Sequence, residues 1–296
     1  MTAPILADAL GPRGRRQARI ASIVAVIVLA AFVAIALRRL GDKGQLEGDL
    51  YRPFLRWAAL KFFLLGLVNT LKVASIAMVL AMLIGVFMAM LRLTRSRILR
   101  VLATVYVEFF RGLPLYLLII FAAFALPSAY GIDLSLMSAL ILGLVVYNST
   151  ILCEVFRAGI LSLDRGQTEA AYALGMGYWQ TMLLVLVPQA VRRMVPAIVS
   201  QLVTLLKDTS LGIIIAYEEL LRRSEIAGEF FKNPLQSVVF AALLYIIINY
   251  ALSRLASWLE LRQRGRYSAG TINVAGGGED LAVIGAQGEA AAATPT

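Results

Sequence analysis

The chain is 296 residues long, 60% hydrophobic and 16% charged, with a net charge of +10 and a mean hydropathy of +0.79. Soluble domains carry about a quarter charged residues, so these proportions exclude an ordinary water-soluble globule and make the bilayer the solvent. Histidine is absent and the single cysteine, Cys153, sits in an apolar stretch; His-based triads, zinc sites, a metal cluster and an internal disulfide are therefore excluded.

The positive charge is not spread as a nucleic-acid face would be. It sits in short runs at the ends of apolar segments, the pattern that sets membrane topology. Residues 1–19 end in Arg13, Arg15, Arg16 and Arg19, and an apolar run, Ile20–Leu37, follows. At 1.5 Å per residue that run reaches about 27 Å, enough to span. A cleaved signal peptide competes with this reading, because Ala34-Ile35-Ala36 resembles a cleavage site, but the run exceeds a usual signal core. Residues 38–61 are mixed, with Tyr51 and Trp57 suited to an interface.

A second apolar run covers Phe62–Leu91, and the linker 92–100 follows it with several arginines. The third span is expected over Thr104–Leu126, with Glu108, Arg111, Gly112 and Pro114 in its first half. A turn at 127–133 leads to a fourth span over Leu134–Phe156. After a polar region from Arg157 to about Gln180, a fifth span runs to Ala216; Pro188 and Pro196 leave its start open between Val185 and Val191. Residues 217–235 are charged. The sixth span covers Leu235–Leu259, a basic cap follows at Arg262, Arg264 and Arg266, and the Gly/Ala-rich tail 261–296 reads as disordered.

The expected fold is an all-α polytopic membrane protein with about six transmembrane helices. With six spans the basic clusters at 13–19, 92–100, 157–193 and 262–266 all fall on one side, which the positive-inside rule makes cytoplasmic along with both termini. The 38–61 segment fits least well, since it holds six basic residues.

Two segments invite function. In the polar region, Ser162–Asp164 can cap a helix through Gln167, Glu169, Ala170 and Ala171 that Gly175 and Gly177 would end. Ala170, Ala171, Ala173 and Gly175 give that helix a small face open to a partner; an ordinary loop helix between spans is the competing reading. Deep in the fifth span lie Lys207, Asp208, Thr209 and Ser210. Intramembrane charges are costly and mark a cavity or an internal pair. Neighbours on a helix point about 100° apart, so Lys207 and Asp208 do not neutralise each other; Thr204, Asp208 and Leu211 share one face, Lys207 and Ser210 another. An ion-pair network between spans and a translocation surface both remain open. Glu108 with Arg111, and Glu154 with Arg157, are spaced for i,i+3 pairing near the cytoplasmic face. Asn69, Lys72, Asn148 and Ser149 suit either a polar path or packing between spans.

The motif Glu169-Ala170-Ala171, Gly175 and Val187-Pro188 resembles the signature loop of membrane subunits of ATP-binding-cassette (ABC) importers. Phe109–Leu118, Glu154–Gly177, Val187–Ile198 and Leu205–Gly212 resemble the polar-amino-acid branch of those permeases over about residues 62–260. Three features depart from the branch: the extra span at 20–37, Tyr147-Asn148-Ser149-Thr150 before the Glu154 motif, and Arg157-Ala158-Gly159. They resemble the glutamate importers of high-GC Gram-positive bacteria.

The resemblance implies a five-helix permease core over 62–260, preceded by an extra transmembrane helix and external linker at 20–61 and a basic N-terminus at 1–19. It makes 165–178 the coupling helix, with Gly166, Glu169, Ala170, Ala171, Gly175 and Gly177 meeting an ATPase. Lys207, Asp208, Thr209, Ser210, Thr204 and Asn148 become substrate-path candidates, Asp208 for an ammonium and Lys207 or a span-end dipole for a carboxylate. The implied partners are a cytoplasmic ABC ATPase dimer, a second permease, an extracytoplasmic binding protein, an amino-acid substrate and membrane lipid, with no nucleic acid. The chain lacks a Gly-x4-Gly-Lys-Ser/Thr phosphate loop, so no cofactor is expected on it, and ATP and magnesium belong to the ATPase. A stand-alone secondary transporter or channel is the alternative; it would need inverted repeats or an ion-coupling site, and neither is evident.

Overall fold

A computed structural model describes residues 11–255, 257 and 258. The basic cap at Arg262, Arg264 and Arg266, the tail 261–296 and the start of the N-terminus lie outside the described residues. The described residues form helices and no strands: α1 (Pro12–Asp42), α2 (Trp57–Leu93), α3 (Arg97–Gly112), α4 (Leu115–Tyr130), α5 (Leu136–Leu161), α6 (Arg165–Ala173), α7 (Tyr178–Ile215), α8 (Leu220–Phe231) and α9 (Pro234–Leu255). Of these, α1, α2, α5, α7 and α9 are long and apolar enough to cross a membrane, and α3 with α4 makes a bent sixth candidate. The all-α polytopic expectation holds.

The centre is α2 against α5. Their backbones meet because both helices place small residues in the seam: a Cβ at Gly85 would lie 2.9 Å from Leu152 Cβ and 3.0 Å from Ser149 O. Small seam residues let helices approach closely where no hydrophobic force separates helix from lipid. Around that pair pack α3, α4, α7 and α8. By contrast the apolar window of α1 buries nothing against the rest of the chain.

Two expectations are corrected, and one further helix is found. The third span is not one rod: Pro114 has no amide hydrogen to donate and pushes Leu113 out of the helical region (φ −86, ψ 137), so α3 and α4 meet at 99°. The fifth span starts neither at Val185 nor at Val191; α7 is continuous over 38 residues, through Pro188 and Pro196. A widened π segment, Thr181–Leu186, sits just ahead of Pro188, and a second, Phe121–Ala125, ahead of Pro127. The wider turn makes room for a ring that would clash with the carbonyl four residues back. Finally, the charged stretch 217–235 holds a helix, α8.

Glu219 caps that helix, accepting from the amides of Leu221 and Arg222 at 2.9 and 2.7 Å, and receives the Tyr245 hydroxyl at 2.6 Å. It is fully buried. Burial pushes its carboxyl above the usual range, and the three donated bonds pull the other way. Asn69 donates to Glu218 O, Thr70 Oγ1 accepts from Leu220 N, and the Arg223 guanidinium lies over the Phe62 ring at 4.6 Å. The same end is closed by the linker from α1. Phe54 is buried among Phe63, Phe231 and Phe240, while Asn233 donates to Leu50 O and Gln236 to Gln45 O.

Candidate coupling surface and substrate path

The opposite end of the bundle is built from the α2–α3 turn and the α5–α6–α7 connection. Asp164 is the N-cap of α6; its Oδ1 accepts from Gly166 N at 2.8 Å. Ser162 instead closes α5. After Leu174, Gly175 takes φ +75, a left-handed conformation glycine adopts at little cost. Gly177 does not share that role: at φ −72 it starts the next helix, and its amide donates to Gln180 Oε1 at 2.9 Å.

Gly166, Glu169, Ala170, Ala173, Gly175 and Gly177 are exposed. Ala171 is not, at 3%, because it faces the bundle, so the small outward face is Ala170, Ala173 and Gly175. Sequence reasoning missed Leu174, an apolar side chain 83% exposed at the tip of the loop. Its signal was position: it directly precedes the positive-φ glycine, where a helix end projects its last side chain.

This segment is braced. Gln189 donates to Gln167 Oε1 at 3.0 Å, Arg193 to Ser162 O at 2.7 Å, and the Tyr178 hydroxyl to Leu93 O at 2.7 Å, with Arg95 5.5 Å from the Tyr178 ring centre. Beneath it, Glu154 accepts from Arg157 Nε at 3.0 Å and pairs with Arg92. The expected Glu154–Arg157 pair is therefore present and extended across to α2. Glu108 and Arg111 form no such pair; both are exposed.

On α7, Lys207 and Ser210 line a cavity of about 520 Å³ with Val203, Tyr245, Asn249 and Ser253. No carboxylate lies within ion-pair distance of Lys207 among the described residues, and Asn249 Oδ1 is buried without a partner. The other path candidates are elsewhere. Thr204 is exposed and Asp208 half-buried on a different face, and Thr209 is buried with its hydroxyl given to Leu206 O. Asn148 is enclosed, donating to Leu144 O and accepting from Gln201 at 2.7 Å. Within one chain Lys207 lines this cavity and Asp208 does not. Ser149 meets the Tyr106 hydroxyl at 2.9 Å, Asn69 is held by Glu218, and Lys72 is exposed on α2.

Long apolar helices around a seam of small residues, with a polar connection held outside the bundle, define a multi-span membrane protein. The chain belongs to the binding-protein-dependent transport system inner membrane component family, whose model matches residues 81–265. It is 43% identical over 201 residues to the probable glutamine ABC transporter permease protein GlnP of Bacillus subtilis (67% of this chain, 92% of that one). It is 38% identical over 231 residues to the glutamate transport system permease protein GluD of Corynebacterium glutamicum (76% and 84%). Among solved structures, a crystal structure of an amino acid ABC transporter with histidines matches at 27% identity and a TM-score of 0.67, covering 72% of this chain and 98% of the other. The chain is an amino-acid ABC importer permease of the cell membrane.

Proposed function

We propose that this permease carries glutamate, as one of two permease subunits, driven by separate ATPases that bind ATP and magnesium and supplied by an extracytoplasmic binding protein. GluD, a glutamate permease by name, aligns with a larger share of this chain than GlnP does, 76% against 67%. Both termini and the α6 end lie in the cytoplasm on this reading, as the arginine clusters favour.

The observation that carries the coupling role is the α6 loop itself. It exposes Glu169, Ala170, Ala173 and Leu174, while Gln189 of α7 holds Gln167 and the residues on either side of the loop are held too, Ser162 by Arg193 and Tyr178 by Leu93 O at the end of α2. A surface that is exposed and also rigidly tied can pass a push to the spans. ATPase closure moves α6, and the bundle rocks between outward and inward access. On the substrate side, Lys207 offers a donor for a carboxylate at the cavity, beside Ser210, whose hydroxyl is given to Lys207 O, and Asp208 and Thr204 turn toward another part of the path. The test is uptake by the reconstituted importer with Glu169→Lys: uptake should vanish while the subunit still inserts. Wild-type uptake in that variant would end the coupling role.

A further inference from the structure

The Phe109–Leu118 motif has no part in the coupling surface or the Lys207 cavity, yet its position is unusual. Tyr106 on α3 meets Ser149, in the middle of α5. Ile119 on α4 meets the backbone of α5 at Gly143, where a Cβ would lie 2.7 Å from Ile119 Cγ1. The 99° elbow between them is therefore held at a depth inside the α5 span, away from both ends of the bundle.

Along α3, residues 97, 100, 104, 108 and 111 fall on one face at 100° per residue. They are Arg97, Arg100, Thr104, Glu108 and Arg111, a polar stripe running from the α6 end to the elbow. All but Thr104 are exposed, and among the described residues neither Glu108 nor Arg111 has an ion-pair or hydrogen-bond partner. A second face, Ile98, Leu102, Val105 and Phe109, is exposed and apolar; the third, Ala103 and Val107, is buried in the bundle. At the elbow an apolar hollow is lined by Phe109, Phe110, Leu117 and Phe121, none of them on the polar stripe. Hydrocarbon can cover the apolar face. It cannot cover a bare glutamate and arginine at that depth, which need water or a charged ligand.

We infer that the polar stripe of α3 lines the water-filled route from the elbow to the α6 end, and that Arg111 receives a carboxylate of an acidic amino acid there. The stripe holds three arginines against one glutamate, so its field favours a cargo of net negative charge. Arg111 is the innermost of the three, and its planar fork suits a carboxylate. The inference rests on the proposed glutamate reading and deepens it by naming the face that lines the route and the residue that meets a carboxylate.

Cysteines placed at Thr104, Glu108, Leu102 and Val105, in the full importer in inside-out vesicles, test the route; the native thiol of Cys153 is buried. A charged, membrane-impermeant thiol reagent should modify Thr104→Cys and Glu108→Cys and stop transport, leaving Leu102→Cys and Val105→Cys unmodified. Silence at 104 and 108, or equal labelling at 105, overturns the route. For the ligand, Arg111→Gln should lower glutamate transport about tenfold more than glutamine transport, the scale of one lost hydrogen bond to a charged group, and Arg111→Lys should recover part of it. Equal losses for both amino acids overturn the assignment. ATP-driven uptake by the wild type, with no change of ratio in Arg111→Gln, sinks this inference alone; a wild type that takes up neither sinks the reading beneath it.

Discussion

The hydroxyl of Tyr178 donates a 2.7 Å hydrogen bond to the carbonyl of Leu93, joining the start of α7 to the last residue of α2. The contact links two segments 85 positions apart, directly behind the exposed α6 loop. Because α2 is half of the central helix pair, this bond gives a force on the loop a route to the bundle that bypasses α5. Tyr178→Phe removes the bond and leaves the ring under Arg95. It should cost about 1 kcal/mol of stability and lower uptake per ATP hydrolysed, read by measuring both in one reconstituted preparation. Unchanged uptake per ATP would assign the bond to folding alone.

Gly175 is where the loop tolerates substitution least. Its φ of +75 strains any residue with a Cβ, and nothing lies within 4 Å of where that Cβ would be. Gly175→Ala therefore tests backbone conformation free of steric clash. It should destabilise the loop by about 1 kcal/mol and reduce coupled uptake in part, whereas Gly175→Asp should abolish it. Membrane insertion, followed by immunoblot of washed membranes, should be normal in both.

Glu154 holds Arg92 and Arg157 at once. With Glu154→Gln both guanidiniums lose a charged acceptor in a half-buried setting, and the α2–α5 junction should lose about 1–3 kcal/mol. The check is the melting temperature in detergent. A double variant with Arg92→Met should lose less than the sum of the single losses, since the two residues share one interaction.

The α2–α5 seam allows no side chain at Gly85. Gly85→Leu should prevent the pair from closing and reduce folded protein, and Gly85→Ala should cost about 1–3 kcal/mol because Leu152 Cβ and Ser149 O must move. Folded yield by size-exclusion chromatography separates these from wild type.

The helical spans were readable from apolar runs because lipid permits few alternatives. The break at Leu113-Pro114 was readable in principle, since proline restricts the residue before it; the size of the bend was not, because it depends on what Ile119 and Tyr106 find on α5. The loop α6 was legible down to its cap, Asp164, and to Gly175. Gly177 and Ala171 were misplaced because composition marks small residues without saying which way they face. Glu219 looked like one charge in a solvated stretch; only its contact with Tyr245 and the α8 amides makes it a buried cap. The separation of Lys207 from Asp208 followed from helical spacing. That Lys207 opens on a cavity depended on α9, distant in sequence.

The central claim is that this chain moves an amino acid only when a separate ATPase drives it through α6. Glutamate uptake into proteoliposomes holding the complete importer, with ATP inside and with Glu169→Lys as the control, tests it most directly. ATP-dependent uptake by the wild type, none by the variant and none by the permease without its ATPase is the predicted result. Uptake by the permease alone would contradict the account and make the chain a self-sufficient transporter.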